Sequence, residues 1–290
     1  MQGTSPKTSA DIWKMIQENI TENIIRIAEQ AGEIVLASFR KDHEYLIKSD
    51  EPQANDFATK ADLASQEFIL AELKKLRPND IYVAEEDEKF LANSLLSIDV
   101  DRLTWYIDPI DGTINYSRGV EFFGISIGAV NTLTGETVFG VVRAPGINRT
   151  WFAYEGKSFV GANFKDAVEF KNKTHKTAHL LGIAFAYEES ERRLFLSKLP
   201  ALMENFGDIR HFGSGALNIC FLAEGRLDAY MEISLHPWDH KAGGLIANNV
   251  GIFTKIVHNP RTGDESIIAA KTQKDFNLLR DILNQINSTK

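Results

Sequence analysis

Cysteine is nearly absent from this chain, because Cys220 is the single thiol among 290 residues. One cysteine excludes an intramolecular disulfide and a zinc site made of several thiolates, and it fits a reducing compartment. Cys220 lies in an apolar run, so we expect a buried and unreactive thiol. The N-terminus lacks the basic and apolar regions of a signal peptide, and no apolar run approaches the ~20 residues that span a bilayer. These absences predict a cytoplasmic protein.

The chain also lacks an excess of basic residues. Its 32 Lys and Arg residues face 40 Asp and Glu residues, which leaves a net charge of −8. Nucleic acids and anionic membranes attract basic faces, so neither is an expected partner. The apolar fraction of 43% and the charged fraction of 25% are ordinary for a globular protein. The length is enough to bury a substantial core, as one large domain or two tightly joined halves.

Apolar residues recur at helical spacing in several segments. The stripe from Ile16 to Phe39 predicts a helix over 13–40, after a flexible arm at 1–12. A second helix is predicted over 62–76, where Pro78 ends it. The same periodicity predicts further helices over 190–205, 214–224, 239–249 and 273–286.

Short β-like runs alternate with these helices. They predict strands at 81–84, 104–107 and 228–233, a hairpin over 122–139, and its continuation at 141–142 and 150–154. Interleaved strands and helices with an antiparallel hairpin indicate a layered α/β fold. No linker or repeat interrupts the pattern, so we predict a single domain over 13–290, with two halves that meet near 160–180.

The most informative segment is Asp-Pro-Ile-Asp-Gly-Thr at 108–113, directly after a predicted strand. Pro109 fixes its own φ, and Gly112 removes a Cβ where the backbone has to approach a ligand closely. Asp-Pro and Asp-Gly are common turn dipeptides, and either alone would favour a plain turn. The whole hexapeptide aims two carboxylates at one point. They repel each other unless a cation lies between them, and a hard divalent cation prefers oxygen ligands.

Three other carboxylates lie where they can complete such a site. Glu85 follows the β-like run at 81–84, although a solvated acidic loop is the simpler interpretation of that residue alone. Asp239 opens one predicted helix and Asp62 opens another, and each can be a plain helix cap. Taken with the hexapeptide, they predict an acidic metal centre.

These segments together resemble the inositol monophosphatase family, a group of Mg2+-dependent, lithium-sensitive phosphatases. The likeness extends from about Ile24 to Leu283. The three family signatures appear at 84–86, at 108–113, and at Trp238-Asp239 followed by Ala242-Gly243. Supporting matches lie at 56–62, 213–217 and 225–232. The resemblance implies an α/β fold, a layered αβαβα sandwich of the inositol monophosphatase and fructose-bisphosphatase type.

The resemblance also implies a role for each matching residue. One Mg2+ is expected on Glu85, Asp108 and the Ile110 carbonyl, a second on Asp108, Asp111 and Asp239, and a third, weaker cation near Glu85. Asp62, Thr113 and Glu85 are expected to orient the attacking water, whose pKa the cations lower. The N–H groups of Gly112 and Thr113 are expected on the phosphate. The remaining positions implied for the substrate are Lys48, Asp111, Ser214, Gly215 and Glu232.

The substrate stays open at this point. Asn115-Tyr116 suits inositol monophosphatases, whereas Arg118-Gly119-Val120 is similar to histidinol-phosphate phosphatases. We rank inositol 1-phosphate first, histidinol phosphate second and a sugar bisphosphate such as fructose 1,6-bisphosphate third. The family also implies a homodimer. Some bacterial relatives act as partners of transcription complexes, so a moonlighting role of that kind is the alternative from another class.

Overall fold

The computed structural model of the chain describes residues 18–41, 44–48, 57–87, 102–175, 177–186, 188–259 and 264–288. The arm predicted over 1–12 and the first part of the helix predicted over 13–40 lie outside these residues.

The described residues form eight α-helices. They are α1 (Glu18–Ser38), α2 (Lys60–Leu76), α3 (Thr113–Ser117), α4 (Glu189–Leu196), α5 (Leu199–Met203), α6 (Gly215–Glu224), α7 (Pro237–Asn249) and α8 (Gln273–Ser288). Five of them match predicted helices closely where they are described, and α3 was not predicted. The single helix predicted over 190–205 is wrong, because α4 and α5 are separate. Pro200 has no N–H to donate to the carbonyl four residues earlier, that of Leu196, and α4 ends at that residue. None of these helices is long and apolar enough to cross a bilayer.

Fourteen strands form three sheets among the described residues. A two-stranded sheet pairs β1 (Tyr45–Ile47) with β2 (Phe57–Thr59). A seven-stranded sheet runs in chain order through β3 (Ile81–Ala84), β4 (Leu103–Asp111), β5 (Gly124–Asn131), β6 (Thr137–Ala144), β7 (Arg149–Tyr154), β8 (Lys157–Gly161) and β9 (Val168–Glu169). A five-stranded sheet has the order β11 (Asp208–Arg210), β10 (Leu180–Ala184), β12 (Ala229–Leu235), β14 (Glu265–Ala270) and β13 (Phe253–His258).

Three apolar cores stack these elements into five layers. The first lies between α1, α2 and the seven-stranded sheet, and includes Ile24, Leu73 and Trp105. The second buries α6 and α7 between the two large sheets, with Trp151 and Ile267 on opposite sides. The third packs α4, α5 and α8 on the outer face of the five-stranded sheet. The layers therefore follow the order αβαβα, which confirms the predicted fold class. Cys220 is buried on α6, as expected.

Candidate active site

The hexapeptide lies where β4 ends, next to the end of β3. These strands are parallel, and Ala84 pairs with Ile107, so the residues that follow them lie at the same edge of the sheet. Those residues are Glu85 and Asp108, which are near enough for a side-chain hydrogen bond. The topology thus brings together two carboxylates that the sequence separates widely.

The backbone then turns sharply between Asp108 and Asp111. The register with β5 shifts between these two residues, and Asp108 Oδ1 accepts the N–H of Ile110 at 2.9 Å. Gly112 has a φ of 92°, and a Cβ there would lie 2.9 Å from the carbonyl oxygen of Gly213. Glycine is therefore required at this position, both for its backbone conformation and for this close approach.

Asp111 joins the hexapeptide to the N-terminus of α6. Its carboxylate accepts hydrogen bonds from the hydroxyl of Ser214, the N–H of Gly215 at 3.2 Å and the N–H of Ala216 at 2.7 Å. Burial raises the pKa of Asp111 to about 6, although these three donors oppose the shift. The start of a helix favours a negative charge, so α6 stabilises the ionised form.

Asp239 enters the site from the start of α7. The helix cap is His236, and Oδ2 of Asp239, the third residue of α7, accepts the N–H of His236 at 2.7 Å as half of a capping box. The side chain is also near the other carboxylates. Burial raises the pKa of Asp239 well above its usual range, and the charge of Asp111 raises it further.

Asp108 is surrounded by other carboxylates. It is 2% exposed, and burial raises its pKa far above the ordinary value. The charges of Glu85, Asp111 and Asp239 add to that shift. Carboxylates that share a dry site cannot all ionise without a counter-charge, which a proton or a cation can supply.

The donor chemistry of this cluster fits Mg2+, because every side chain in it offers oxygen. Within the described ranges, however, no group of three or more His, Cys, Asp or Glu side chains lies close enough to hold a metal ion without rearrangement. Glu85 is instead directed at Lys48, whose Nζ lies 2.8 Å from Glu85 Oε1. The metal-ligand roles of these residues therefore stay a prediction.

Lys48 neutralises two neighbouring carboxylates at once. Its Nζ lies 2.8 Å from Glu85 and 2.8 Å from Glu86, and these contacts outweigh burial and raise the pKa of Lys48. Burial raises the pKa of Glu86 to about 7, and its N–H donates to Gln66 at 3.0 Å. Sequence reasoning assigned no role to Glu86, although it lies within the first family signature.

The side chains of Asp62 and Thr113 are in contact next to the turn at 108–112. Thr113 Oγ1 lies 3.3 Å from Asp62 Oδ1 and 3.0 Å from the carbonyl oxygen of Ile110. Asp62 is the third residue of α2, and the helix cap is Thr59, whose N–H donates to Asp62 at 2.8 Å. Burial raises the pKa of Asp62 to about 6, against the effect of the Thr59 hydrogen bonds. The structure thus brings together two residues that are 51 positions apart.

Ser214, Gly215 and Glu232 lie on the far side of Asp111. The Ser214 hydroxyl donates to Asp111 and accepts the N–H of Leu217 at 3.2 Å. Both of these hydrogen bonds are made at the start of α6. A Cβ on Gly215 would lie 2.8 Å from Glu232 Oε2, so the glycine leaves room for that carboxyl group. The substrate contacts of all three residues stay predictions.

Glu232 has a partner that sequence reasoning missed. The hydroxyl of Tyr230 donates to Glu232 Oε2, and both side chains are on β12. Burial raises the pKa of Glu232 to about 8 despite this hydrogen bond. The sequence did contain a signal for this pair, which is the spacing of Tyr230 and Glu232. Residues two apart on a strand face the same side of the sheet.

Comparison with known proteins places this arrangement in context. A model of the inositol monophosphatase family matches residues 16–287. A Nus factor SuhB from Pasteurella multocida is 32% identical over 231 residues, which cover 78% of this chain and 81% of that protein. An inositol-1-monophosphatase SuhB from Mycobacterium tuberculosis is 32% identical over 218 residues, which cover 73% and 72%.

A solved structure shows the same fold. The extragenic suppressor protein suhB from Bartonella henselae superimposes with a TM-score of 0.75 at 23% identity, covering 91% of this chain and 98% of that one.

Proposed function

We propose a function from the premise that this chain belongs to the inositol monophosphatase family, whose model matches residues 16–287. That family is one of phosphatases, so the chain is a phosphoric monoester hydrolase. The finer proposal is that it hydrolyses a small polyol phosphate, inositol 1-phosphate first, in a Mg2+-dependent reaction. One observation carries it: Asp108 and Asp111 are buried next to Glu85 and the partly buried Asp239, and the charges of these three neighbours raise the pKa of Asp108.

In this proposal the oxygen atoms of the acidic cluster hold the cations. The residues are Glu85, Asp108, Asp111, Asp239 and, through its carbonyl group, Ile110. When bound there, Mg2+ would supply a water nucleophile at neutral pH and positive charge for the phosphate oxygens. Lys48 forms ion pairs with both Glu85 and Glu86 in this structure, and it would lose its Glu85 partner and become available to the phosphate when Glu85 turns to a cation.

The Asp62–Thr113 pair would orient the attacking water. Thr113 Oγ1 lies between Asp62 and the Ile110 carbonyl, so the hydroxyl has a defined direction. Gly112 is the N-cap of α3. N–H groups in the first turn of a helix have no acceptor within it, so those of Gly112 and Thr113 suit phosphate oxygens.

The environment of Glu232 supports a polyol as the leaving group. With its pKa raised to about 8, this side chain is mostly neutral at pH 7. A neutral carboxyl group both donates and accepts hydrogen bonds, as sugar hydroxyls do, but it forms no ion pair with an ammonium group. A group of this kind suits the hydroxyl groups of a polyol.

A phosphate-release screen tests the proposal directly. We expect the highest kcat/KM on inositol 1-phosphate, compared with histidinol phosphate, fructose 1,6-bisphosphate and adenosine 3′,5′-bisphosphate. EDTA should abolish the release and added Mg2+ should restore it. A dominant rate on another substrate would contradict the substrate assignment. Full activity in EDTA would contradict the metal assignment.

Removal of the Thr113 hydroxyl tests the water-orienting role. Thr113→Ala is expected to lower kcat about 100-fold, because it removes the hydroxyl group that helps Asp62 to orient the attacking water. KM should change little. Thr113→Ser keeps the hydroxyl and is the matched control, with activity expected within a few-fold of the original chain. Equal losses in both variants would assign the effect to the lost methyl group and the packing around it.

The similarity to a Nus factor supports one second candidate, a role as a protein partner in a transcription complex. Such a role does not need the acidic cluster. Co-purification of RNA polymerase components with both the original chain and an Asp239→Asn variant would favour it. If neither form retains these components while the original chain releases phosphate, this candidate is excluded.

A further inference from the structure

Two hydrogen bonds reach the residues on either side of Asp239, and each comes from a different sheet. Before Asp239, the Ser126 hydroxyl donates to the carbonyl oxygen of Trp238, with 2.9 Å between the oxygen atoms. After Asp239, the His240 ring bonds through Nε2 to the Glu265 carboxylate. Ser126 is on β5 of the seven-stranded sheet, and Glu265 is on β14 of the five-stranded sheet. The first turn of α7 is therefore attached to both.

Ser126 is also the register partner of Asp108. The two residues are directly opposite each other on antiparallel β4 and β5. Opposed residues of such a pair point to the same face of the sheet, with Cβ atoms about 5 Å apart. Ser126 is fully buried, and a buried hydroxyl group needs a partner. Its partner is the carbonyl of the residue before Asp239, so one short contact connects the positions of two carboxylates that repel each other.

The His240–Glu265 pair lies where the chain passes from β12 into α7. Glu265 is opposite Leu235, after a register shift that starts beyond Glu232, and Ser234 in this shift has a φ of 61°. An irregular strand end does not by itself direct the helix that follows, because the ladder is locally interrupted. His240 is 2% exposed, and its bond to Glu265 ties the first turn of α7 back to the sheet beside that irregular end.

The contact between α7 and the seven-stranded sheet leaves little space for adjustment. A Cβ on Gly140 would lie 2.7 Å from the carbonyl oxygen of Ala242. A Cβ on Gly128 would lie 3.0 Å from the Cβ of Lys241. The helix backbone thus rests directly on β5 and β6 just after its first turn, where the two hydrogen bonds act.

We propose that Ser126, His240 and Glu265 are positioning residues that set the separation of the Asp108 and Asp239 carboxylates. This inference rests on the proposed Mg2+ site. If either hydrogen bond is lost, repulsion between the carboxylates moves the first turn of α7 outward. A bound cation would then have to draw the two carboxylates back together. The free energy that this movement requires would lower the affinity for the cation. In metal sites generally, loss of a residue that orients a ligand lowers metal affinity about 10–100-fold.

Calorimetric titration with Mg2+ alone tests the inference without any turnover. Ser126→Ala and Glu265→Ala are each expected to weaken Mg2+ binding about 10-fold. KM for inositol 1-phosphate at saturating Mg2+ should stay within about twofold, because neither residue is one of the proposed substrate contacts. A purely structural role would lower the melting temperature of the metal-free protein and leave the Mg2+ affinity unchanged.

Two variants serve as matched controls. Glu265→Gln keeps an oxygen acceptor for the His240 ring and should retain the original affinity. His258→Ala removes a ring that lies 3.7 Å from the other oxygen of Glu265 but belongs to edge strand β13, with a side chain 77% exposed. It should also leave the affinity unchanged. If Glu265→Ala fails to fold, Ser126→Ala alone decides, since it removes a single hydroxyl group.

The outcomes separate this inference from the proposed function. Weak or absent Mg2+ binding by the original chain, or undiminished binding by Asp239→Asn, would overturn the metal site itself. If Asp239→Asn loses Mg2+ while Ser126→Ala and Glu265→Ala bind it as the original chain does, only the positioning role is overturned. An equal loss in His258→Ala would also overturn it.

Discussion

Asp108→Asn is expected to lower kcat/KM by at least about 1,000-fold, because the proposal assigns this carboxylate to two cations whose charge stabilisation amounts to several kcal/mol. The metal-free variant should nevertheless melt at a higher temperature than the original chain at pH 8. Asp108 is buried, and burial together with the charges of Glu85, Asp111 and Asp239 raises its pKa. An amide of the same shape cannot ionise, so it removes this unfavourable electrostatic effect without opening a cavity.

Phosphate release at saturating Mg2+ and thermal melting in EDTA measure the two parts of this prediction. Asp281→Asn on the exposed face of α8 is the matched control, because it makes the same chemical change where the side chain pairs only at the surface with Arg280. It should alter neither quantity. Turnover near the original value in Asp108→Asn would contradict the metal assignment, and a lower melting temperature would contradict the repulsion argument.

The metal-free protein is expected to lose stability as pH rises from about 4.5 to about 8, and Glu232 contributes a large share. Burial raises the pKa of Glu232 from 4.5 to about 8. Between these values the unfolded chain has already released the proton that the folded chain still holds. The free energy of unfolding therefore falls with increasing pH across this window and levels off above it. For one group the change is on the order of 5 kcal/mol.

Glu232→Gln is expected to flatten this dependence, because the amide stays neutral at every pH. Its melting temperature in EDTA should match the original chain near pH 4.5 and exceed it by roughly 10 °C near pH 9. Glu189→Gln is a suitable control, since that carboxylate is exposed on α4 and bonds to Arg193. A pH profile of Glu232→Gln parallel to that of the original chain would show that Glu232 ionises normally.

The longer helices and the strands that lead to the hexapeptide followed from local pattern. The apolar stripe of α1, the Pro-terminated segment of α2 and the strand that enters Asp108 are each determined by residues a few positions apart, so periodicity and turn chemistry were enough. The strands β1, β2, β8 to β11, β13 and β14 were not predicted. Several are only two or three residues long or lie at sheet edges, and their pairing partners, rather than their own sequences, make them strands.

The candidate site was likewise predicted in part from the sequence, while the rest depends on the tertiary structure. The hexapeptide, Glu85, Asp62 and Asp239 could be selected from the sequence because their residue types and spacing already indicate an acidic centre. Their meeting depends on the parallel pairing of β3 with β4 and on α6 and α7 filling the space between the sheets.

The strong pKa shifts arise from that burial, and local sequence does not encode it. Ser126 has no recognisable motif. Only the register that places it opposite Asp108, and the packing that brings Trp238 within 2.9 Å, show what it does. The sequence by itself thus determined which carboxylates are available. Tertiary structure decided how closely they approach one another, because contacts across 112 residues have no trace in local pattern.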